Sequence, residues 1–244
     1  MNDSGMKKQQ QYIIAYIDIL GGSDLIKKER NDETLNKIYQ IFDHIKSEAC
    51  WYNLCEPKRC VKFFSDNFII AQQFDGSELI LRDFLKLIAL IQFQFLVSGL
   101  CIRGGIDIGQ FYIDEIFVWG QVLLSAYELE SKEARFPRIL LSQNVASKIN
   151  LINDLSSFVL WNKKSISIDL DGKMFVDYFD FEGDDGGRFP LLLQQIKDNI
   201  IDNLNNATNE GVREKIKWII EKYNEECART KRMDFMIDIA LKGV

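Results

Sequence analysis

The usual ligands of zinc are scarce in this sequence of 244 residues. It has one histidine, His44, and none of its five cysteines belongs to a Cys-x-x-Cys pair. Cys50, Cys55 and Cys60 are evenly spaced, but without such a pair they indicate reduced, partly buried thiols rather than a zinc site. The cysteine count is odd, and the polar first ten residues lack the apolar core of a secretory signal, so we expect a cytoplasmic protein.

The sequence also lacks a basic excess and a long uninterrupted apolar run. With 30 Lys and Arg against 36 Asp and Glu, the net charge is -6, which argues against binding to nucleic acid or to a membrane surface. A polyanionic substrate remains compatible, because bound metal ions can reverse the local field. The most apolar segment, residues 84–100, contains Lys86 and two glutamines, so it predicts a core helix leading into a strand and not a membrane span.

An apolar segment near the N-terminus ends in a carboxylate. Residues 12–17 are apolar or aromatic and favour β structure, which predicts a buried strand, and Asp18 stands at its end. A buried acid needs a cation, a hydrogen-bond donor or water. Gly21, Gly22 and Ser23 then lead into a helical pattern, where backbone N–H groups can cradle an anion. A metal-bound phosphate would satisfy both halves of this pattern; the alternative is an aspartate that caps a helix.

A second acid is predicted at the tip of a β-hairpin. Residues 60–71 are two short apolar runs that flank Ser65, Asp66 and Asn67. If two strands each bring one carboxylate to the same end of a sheet, Asp18 and Asp66 would form a site for hard divalent cations. Otherwise Asp66 is an ordinary turn residue.

The order of the predicted elements is that of an α+β fold. Apolar periodicity and turn signals predict, in chain order, a strand at 12–17, a helix at 23–50 that is interrupted or restarted at 31–33, the hairpin at 60–71, a helix at 78–97 and strands at 100–108 and 112–119. There follow a helix at 122–132, a strand at 138–141, a helix at 143–150, a meander of strands within 158–179 and helices at 190–203 and 212–228. The β-α-β-β-α-β order, with extra strands and C-terminal helices, is the ferredoxin-like plan.

A polar, glycine-rich stretch at residues 182–187 marks a change in composition. We therefore expect a flexible N-terminal tail at residues 1–10, one α+β catalytic domain at 11–181 and a helical extension at 188–244. The amphipathic helices of the extension could pack on the domain or extend an interface between two copies, and the sequence leaves both open.

Three motifs resemble those of the class III nucleotidyl cyclase family, in the same order and strand context. They lie at residues 18–23, at residues 62–66, and at residues 103–109 with the following segment 120–130. Within that family, residues 126–130 and 137–139 are similar to the bacterial Pycsar pyrimidine cyclases of anti-phage defence. The resemblance covers most of residues 12–142. It implies the βαββαβ class III cyclase fold, two Mg²⁺ or Mn²⁺ ions per active site, a nucleoside triphosphate substrate, and a homodimer whose active sites form between two protomers.

The resemblance also implies roles for individual residues. Asp18 and Asp66 would bind the metal ions, and the backbone carbonyl of Ile19 would add a ligand. Lys62, four residues before Asp66, is at the position of the lysine that reads the base in purine cyclases; otherwise it is a solvated strand lysine. Arg103 precedes a glycine pair on a central strand, and it either contacts phosphate or the dimer interface, or forms a structural ion pair.

Several positions depart from the family pattern. Phe117 stands where cyclases that use ATP have a base-reading Asp or Thr, so it is a candidate substrate contact that argues against adenine. Leu124 and Glu128 stand where the family places an asparagine and an arginine that act from the neighbouring subunit. Gly22 and Ser65 replace a phenylalanine and a glycine. In the pyrimidine branch that the sequence resembles, such departures are usual.

The resemblance implies a pyrimidine nucleotide cyclase that converts UTP to 3′,5′-cyclic UMP and pyrophosphate. The product would be a second messenger of anti-phage defence that activates a separate effector. Conversion of CTP to cyclic CMP is the alternative that the sequence leaves open. A catalytically inert, cyclase-like nucleotide sensor is a further alternative, which Leu124 and Glu128 favour and the two retained aspartates oppose. A diguanylate cyclase is disfavoured, because residues 104–107 lack the paired acids of that activity.

Overall fold

Strand β1 (Gln10–Ile19) lies inside the main sheet of the computed structural model, which describes residues 6–28, 31–51, 59–150, 159–160, 163–164, 166–179 and 189–238. β1 pairs antiparallel with β3 (Asn67–Gln73) on one edge and with β4 (Ile102–Ile113) on the other. Its apolar run is covered on both faces, so the side chains of Ile13, Ile14 and Ile17 are fully buried. The predicted buried strand is thereby confirmed.

The bounds of the remaining elements are as follows. The other described strands are β2 (Arg59–Phe64), β5 (Val118–Trp119), β6 (Ile139–Leu141), β7 (Val159–Leu160), β8 (Lys163–Lys164), β9 (Ile166–Ile168) and β10 (Met174–Val176). The described helices are α1 (Gly22–Lys28), α2 (Glu33–Trp51), α3 (Glu78–Val97), α4 (Gln121–Glu128), α5 (Gln143–Asn150), α6 (Phe189–Asn205) and α7 (Glu210–Arg229). A π-helical turn (Leu129–Glu133) continues α4, and a 3₁₀ turn (Met233–Phe235) follows α7.

The main sheet has the strand order β2-β3-β1-β4-β6-β10-β9, with β5 paired to the end of β4. Its first four strands and the helices between them form a β-α-β-β-α-β unit, in the antiparallel order β2-β3-β1-β4. β6 adds parallel to β4, because α4 carries the chain back along the sheet before β6 begins. The predicted α+β, ferredoxin-like fold with extra strands and C-terminal helices is confirmed.

The helix predicted over residues 23–50 is two helices. α1 ends at Lys28 and α2 begins at Glu33. Between them Asp32 has φ of +53°, a left-handed conformation that does not occur inside an α-helix of L-residues. The interruption that the sequence left open at residues 31–33 is therefore present, and the second helix starts there.

Two strand predictions were wrong in detail. One strand was expected over residues 112–119, but β4 continues to Ile113 and the chain turns at Asp114. The Oδ1 of Asp114 accepts hydrogen bonds from the N–H groups of Ile116 and Phe117 at 2.8 and 2.7 Å. Only the two residues of β5 then pair back with β4. In the predicted meander, β9 and β10 do form a hairpin, whereas β7 pairs with β8 in a separate two-stranded sheet.

The C-terminal helices pack in the same hydrophobic core as the sheet. Leu193 and Ile196 of α6 and Ile219 and Tyr223 of α7 are buried together with the apolar side of α3. Each such aliphatic side chain contributes about 1.5–3 kcal/mol when it leaves water. The sequence left the place of these helices open, and the structure places them on the domain. In the described ranges, no helix has the length and apolar character that a membrane crossing requires.

The opposite face of the sheet is covered mainly by α4. A small cluster forms there from Ile14, Ile69, Phe111 and Val122. α4 approaches closely because β4 carries glycine: a Cβ at Gly105 would lie 2.4 Å from the carbonyl oxygen of Ala126. Large apolar side chains remain exposed on α4 and on the β4–β5 turn beside it. This exposed apolar surface consists of Ile116, Phe117, Trp119, Leu124 and Tyr127.

Candidate active site

The structure brings Asp18 and Asp66 to the same end of the sheet. Asp18, near the end of β1, stands opposite Asn67 of β3 and Arg103 of β4 in the strand register. Asp66 immediately precedes Asn67 at the hairpin tip, and its backbone carbonyl accepts a hydrogen bond from the N–H of Ile19 at 2.9 Å. Two strand ends thus deliver one carboxylate each to a common site, as the sequence predicts.

Gly22 lets the hairpin tip approach the start of α1. A Cβ at Gly22 would lie 2.3 Å from the Cβ of Asp66, so any larger residue would displace that aspartate or the helix. Gly21 has φ of +75°, the left-handed conformation that turns the chain from β1 into α1 and favours glycine. Glycine at position 22 therefore has a steric reason in this structure.

Ser23 and Asn67 fix the carboxylate of Asp66. The Ser23 hydroxyl donates to Oδ2 of Asp66 at 2.7 Å, and the Asn67 amide donates to Oδ1 at 3.2 Å. The hydrogen bond from Ser23 holds the pKa of Asp66 below its usual value, against the opposing effect of burial. Tyr16 in turn donates to the amide oxygen of Asn67 at 3.0 Å. Asp66 is consequently held in one orientation and in the ionised form that a metal ion requires.

Arg103 forms an ion pair at the site. Its Nε donates to Oδ2 of Asp18 at 3.1 Å, its Nη2 lies 2.7 Å from Oε1 of Glu130, and its Nη1 donates to the carbonyl of Ala134 at 3.3 Å. Of the roles considered for Arg103, the structure shows the ion pair; a contact with phosphate stays a prediction. Because Arg103 is engaged by two acids and a carbonyl, its guanidinium is fixed in place beside Asp18.

The acids of the site are held close together in partly buried surroundings. Burial raises the pKa of Asp18, the hydrogen bond and charge of Arg103 lower it, and the charge of Asp66 raises it. Burial likewise raises the pKa of Glu130, whose side chain is 5% exposed. A divalent cation between Asp18 and Asp66 would relieve the repulsion between these two carboxylates.

The donor set fits Mg²⁺ or Mn²⁺. Hard oxygen ligands are present as the carboxylates of Asp18 and Asp66, and the carbonyl of Ile19 as a further ligand stays a prediction. No group of three or more His, Cys, Asp or Glu side chains in the described ranges is arranged to hold a metal ion. Mg²⁺ is commonly held by one or two carboxylates together with substrate phosphates, which is the ligand set that this site offers. For the alternative zinc site, Cys55 lies outside the described residues and Cys60 is a half-buried free thiol.

Lys62 contacts the turn that carries Phe117. The Nζ of Lys62 donates to the carbonyl of Glu115 at 2.9 Å, in the turn that carries Phe117. Lys62 pairs in register with Ile69, so it shares the sheet face covered by α4. β2 ends two residues after Lys62, at Phe64, and the turn residues Ser65 and Asp66 follow. An extended ligand lying along this face could contact both groups.

Leu124 and Glu128 are exposed on α4. Leu124 is 63% exposed, and Glu128 forms an ion pair with Lys132 at 2.7 Å.

Sequence reasoning missed three residues that support the site, namely Tyr16, Asn67 and Glu130. Tyr16 could have been found from the strand period, since it stands two residues before Asp18 and therefore faces the same side.

No protein-family model and no curated protein sequence matches the chain. Solved structures do resemble it. The crystal structure of the adenylyl cyclase CyaB from P. aeruginosa is 16% identical, with 71% of this chain and 97% of that chain covered and a TM-score of 0.48. The monomeric guanylyl cyclase domain of the RhoGC fusion protein from the aquatic fungus Blastocladiella emersonii is 12% identical, with 70% and 96% covered and a TM-score of 0.47.

Proposed function

We propose that this protein is a class III nucleotidyl cyclase that converts UTP to 3′,5′-cyclic UMP and pyrophosphate. The observation that carries the proposal is the placement of Asp18 and Asp66 at one sheet end, beside the fixed guanidinium of Arg103. The motifs at these positions resemble those of the cyclase family. Phe117, in place of the acid or threonine of ATP-using cyclases, favours a pyrimidine, and CTP is the alternative substrate. In this proposal the protein acts in the cytoplasm, and its product activates a separate effector of anti-phage defence.

Asp18, Asp66 and the carbonyl of Ile19 would hold two Mg²⁺ or Mn²⁺ ions. When bound, such ions acidify the ribose 3′-hydroxyl and neutralise the charge of the leaving pyrophosphate. The protein residues supply alignment: Ser23 and Asn67 orient Asp66 through hydrogen bonds to both of its oxygens. Phosphoryl transfer depends mainly on positioning and charge stabilisation, so no dedicated protein base is required.

The pKa of the half-buried Asp18 is raised by burial, and Arg103 limits that rise. Its hydrogen bond and charge oppose the effect of burial on the pKa of Asp18. Glu130 holds the other end of the same guanidinium. In this proposal Arg103 contacts a phosphate oxygen of the substrate while it stays paired with Asp18. Lys62 and Phe117, farther along the same face, would contact the base.

The exposed apolar surface on α4, β5 and the β4–β5 turn supports a homodimer. Phe117, Trp119 and Leu124 are 62–70% exposed. Large aromatic and aliphatic side chains that cluster in the open are typical of surfaces that another protein covers. A second copy of the chain placed there would cover the sheet face that carries Lys62 and complete a site between two protomers, as the family resemblance implies.

The test uses the purified chain with each of the four ribonucleoside triphosphates in Mn²⁺, with products resolved by mass spectrometry. We expect cyclic UMP, and a loss of about a thousandfold or more in Asp66→Ala, because a metal ion loses its ligand. Asp43→Ala, which removes an exposed acid on α2, is the matched control and should keep its activity. Product from Asp66→Ala at the wild-type rate would overturn the role assigned to this carboxylate.

A catalytically inert nucleotide sensor is the second candidate. The observation that favours it is Glu128, which stands where the family has an arginine and is engaged by Lys132. Tight binding of a nucleoside triphosphate by the wild-type chain, with no cyclic product from any of the four, would decide for the sensor.

A further inference from the structure

The π-helical turn that continues α4 lies against β4. Gly105 stands two residues after Arg103 in β4, so both residues face the side of the sheet that α4 covers. A Cβ at Gly105 would lie 2.5 Å from the Cβ of Leu129, the first residue of the turn, so any larger residue would push the turn away from β4. Glycine at position 105 therefore lets the next residue of the turn, Glu130, reach Arg103.

Two groups of this turn contact the guanidinium of Arg103. The N–H of Ala134 donates to the carbonyl of Leu129, five residues back, at 2.9 Å, which is the hydrogen bond of a π-helix. The carbonyl of Ala134 then accepts from Nη1 of Arg103 at 3.3 Å, and Oε1 of Glu130 lies 2.7 Å from Nη2. The turn thus supplies one carbonyl and one buried acid to a single arginine.

Glu130 acts on Arg103 by its charge. Its side chain is 5% exposed, and among the residues that the structure describes its Oε1 has no hydrogen-bond partner, although Nη2 of Arg103 is close. A buried carboxylate in this position is stabilised by the positive charge beside it. In the described ranges no three acids are arranged to bind a metal ion, so Glu130 is not a third ligand beside Asp18 and Asp66.

The charge of Glu130 affects what the two aspartates can offer to a cation. Arg103 is also paired with Asp18, with Nε 3.1 Å from Oδ2. Without Glu130, the positive charge of Arg103 would offset one of the two negative charges of Asp18 and Asp66. With Glu130, three acids and one arginine give a net charge of -2, which matches the charge of one divalent cation.

We propose that Glu130 is a positioning residue of the metal site. Its carboxylate neutralises Arg103, so that Asp18 can be held by the arginine and still attract Mg²⁺ or Mn²⁺. The inference rests on the proposed function, since it takes Asp18 and Asp66 as the metal ligands. It deepens that function, because it assigns part of the affinity for the metal ion to a residue that touches neither the metal nor the substrate.

The probe is Mn²⁺ alone, with binding to the full chain at neutral pH measured by electron paramagnetic resonance, so that neither nucleotide nor turnover affects the result. The wild type should bind Mn²⁺, and Asp66→Ala should lose most of this binding. Glu130→Gln keeps the shape and removes the charge; it should raise the dissociation constant about tenfold, the order expected for one unit charge near a partly buried site. Glu130→Asp keeps the charge and should stay within about threefold of the wild type.

Glu133→Gln is the matched control. Glu133 ends the same π-helical turn, is exposed and pairs with Lys173 instead of Arg103. Water and salt screen a charge in such a place, so this variant should bind Mn²⁺ like the wild type. Urea denaturation shows whether the variants are folded. Glu130→Gln should keep a cooperative transition, because Arg103 retains its hydrogen bonds to Asp18 and to the carbonyl of Ala134.

Several results would overturn the inference: no Mn²⁺ binding by the wild type, wild-type affinity in Glu130→Gln, an equal loss in Glu130→Asp or in Glu133→Gln, or a Glu130→Gln chain that does not fold. The outcome is separable from the proposed function. A wild type that forms no cyclic nucleotide, together with weakened Mn²⁺ binding in Glu130→Gln alone, would refute the cyclase and keep the role of Glu130. A cyclase whose Mn²⁺ binding is unchanged in Glu130→Gln would refute only that role.

Discussion

Gly22 is the position at which the structure leaves least room beside Asp66. A Cβ there would lie 2.3 Å from the Cβ of Asp66 and 3.1 Å from its Oδ2. Nonbonded carbon atoms rest about 3.5–4.0 Å apart, so Gly22→Ala must move α1 or Asp66 by more than about 1 Å. Because Ser23 follows directly and donates to the same carboxylate, either movement also strains that hydrogen bond.

We expect Gly22→Ala to lower the rate of cyclic nucleotide formation about 100-fold, since a displacement of about 1 Å in an active site costs that much. The free energy of unfolding should fall by only about 1–3 kcal/mol, the usual cost of overpacking. Initial rates with UTP and Mn²⁺ measure the first effect, and urea denaturation measures the second. The loss of activity should therefore occur in a folded protein.

Gly21→Ala is the matched control for this prediction. Gly21 has φ of +75°, and a Cβ there would meet nothing within 4 Å. Its replacement should cost about 1–2 kcal/mol of backbone strain, with Asp66 undisturbed and most of the activity retained. If Gly22→Ala is as active as Gly21→Ala, the close approach at Gly22 does not position the aspartate and the reasoning fails.

Three further substitutions test separate contacts. Ser23→Ala removes the hydrogen bond that lowers the pKa of Asp66; the loss in free energy of unfolding should be full at about pH 7, above the pKa of an unfolded aspartate, and should shrink in denaturation experiments as the pH falls through the lowered pKa of Asp66 in the folded protein. Asp169→Ala deprives the guanidinium of Arg138, which is 1% exposed, of a buried partner and should lower the free energy of unfolding in urea by about 3 kcal/mol. Leu124→Asp puts a charge on the exposed apolar surface and should convert a homodimer to monomers in analytical ultracentrifugation.

Two of these substitutions have a control variant, and the third is controlled by pH. Asp171 is the more exposed acid paired with Arg138, so Asp171→Ala should cost less stability than Asp169→Ala, and equal losses would contradict the argument from burial. Leu170→Asp alters a fully exposed residue in the β9–β10 turn and should leave the dimer intact, whereas a dimer that survives Leu124→Asp would refute the proposed interface. The same loss from Ser23→Ala at acid and neutral pH would contradict the role of its hydrogen bond to Asp66.

Elements with strong local signals were predictable from the sequence. α3 and α5 have the predicted bounds because serine caps mark their starts: Ser77 accepts from the N–H of Ile80 at 3.3 Å and Ser142 from that of Val145 at 3.2 Å. The end of β4 was not predictable from periodicity, because apolar residues stand on both sides of the Asp114–Glu115 pair. The strand ends because the N–H groups of Ile116 and Phe117 donate to the side chain of Asp114. These hydrogen bonds compete with the pairing between strands.

Part of the candidate site was likewise predictable. Asp18 and Asp66 stand at strand ends, and strand pairing brings such residues together by geometry alone. The contribution of Glu130 depends on how α4 packs, which local pattern does not encode. Glu130 left a weak signal, since it stands four residues after the buried Ala126 and an acid on a buried helix face needs a partner.

The most direct test of the account is a competition among all four ribonucleoside triphosphates at equal concentration in Mn²⁺, with the wild-type chain and Asp66→Ala measured side by side. The account predicts that cyclic UMP dominates the product of the wild type and is absent from that of the variant. A cyclic purine nucleotide as the main product would contradict the base preference, and no cyclic nucleotide at all would contradict the cyclase.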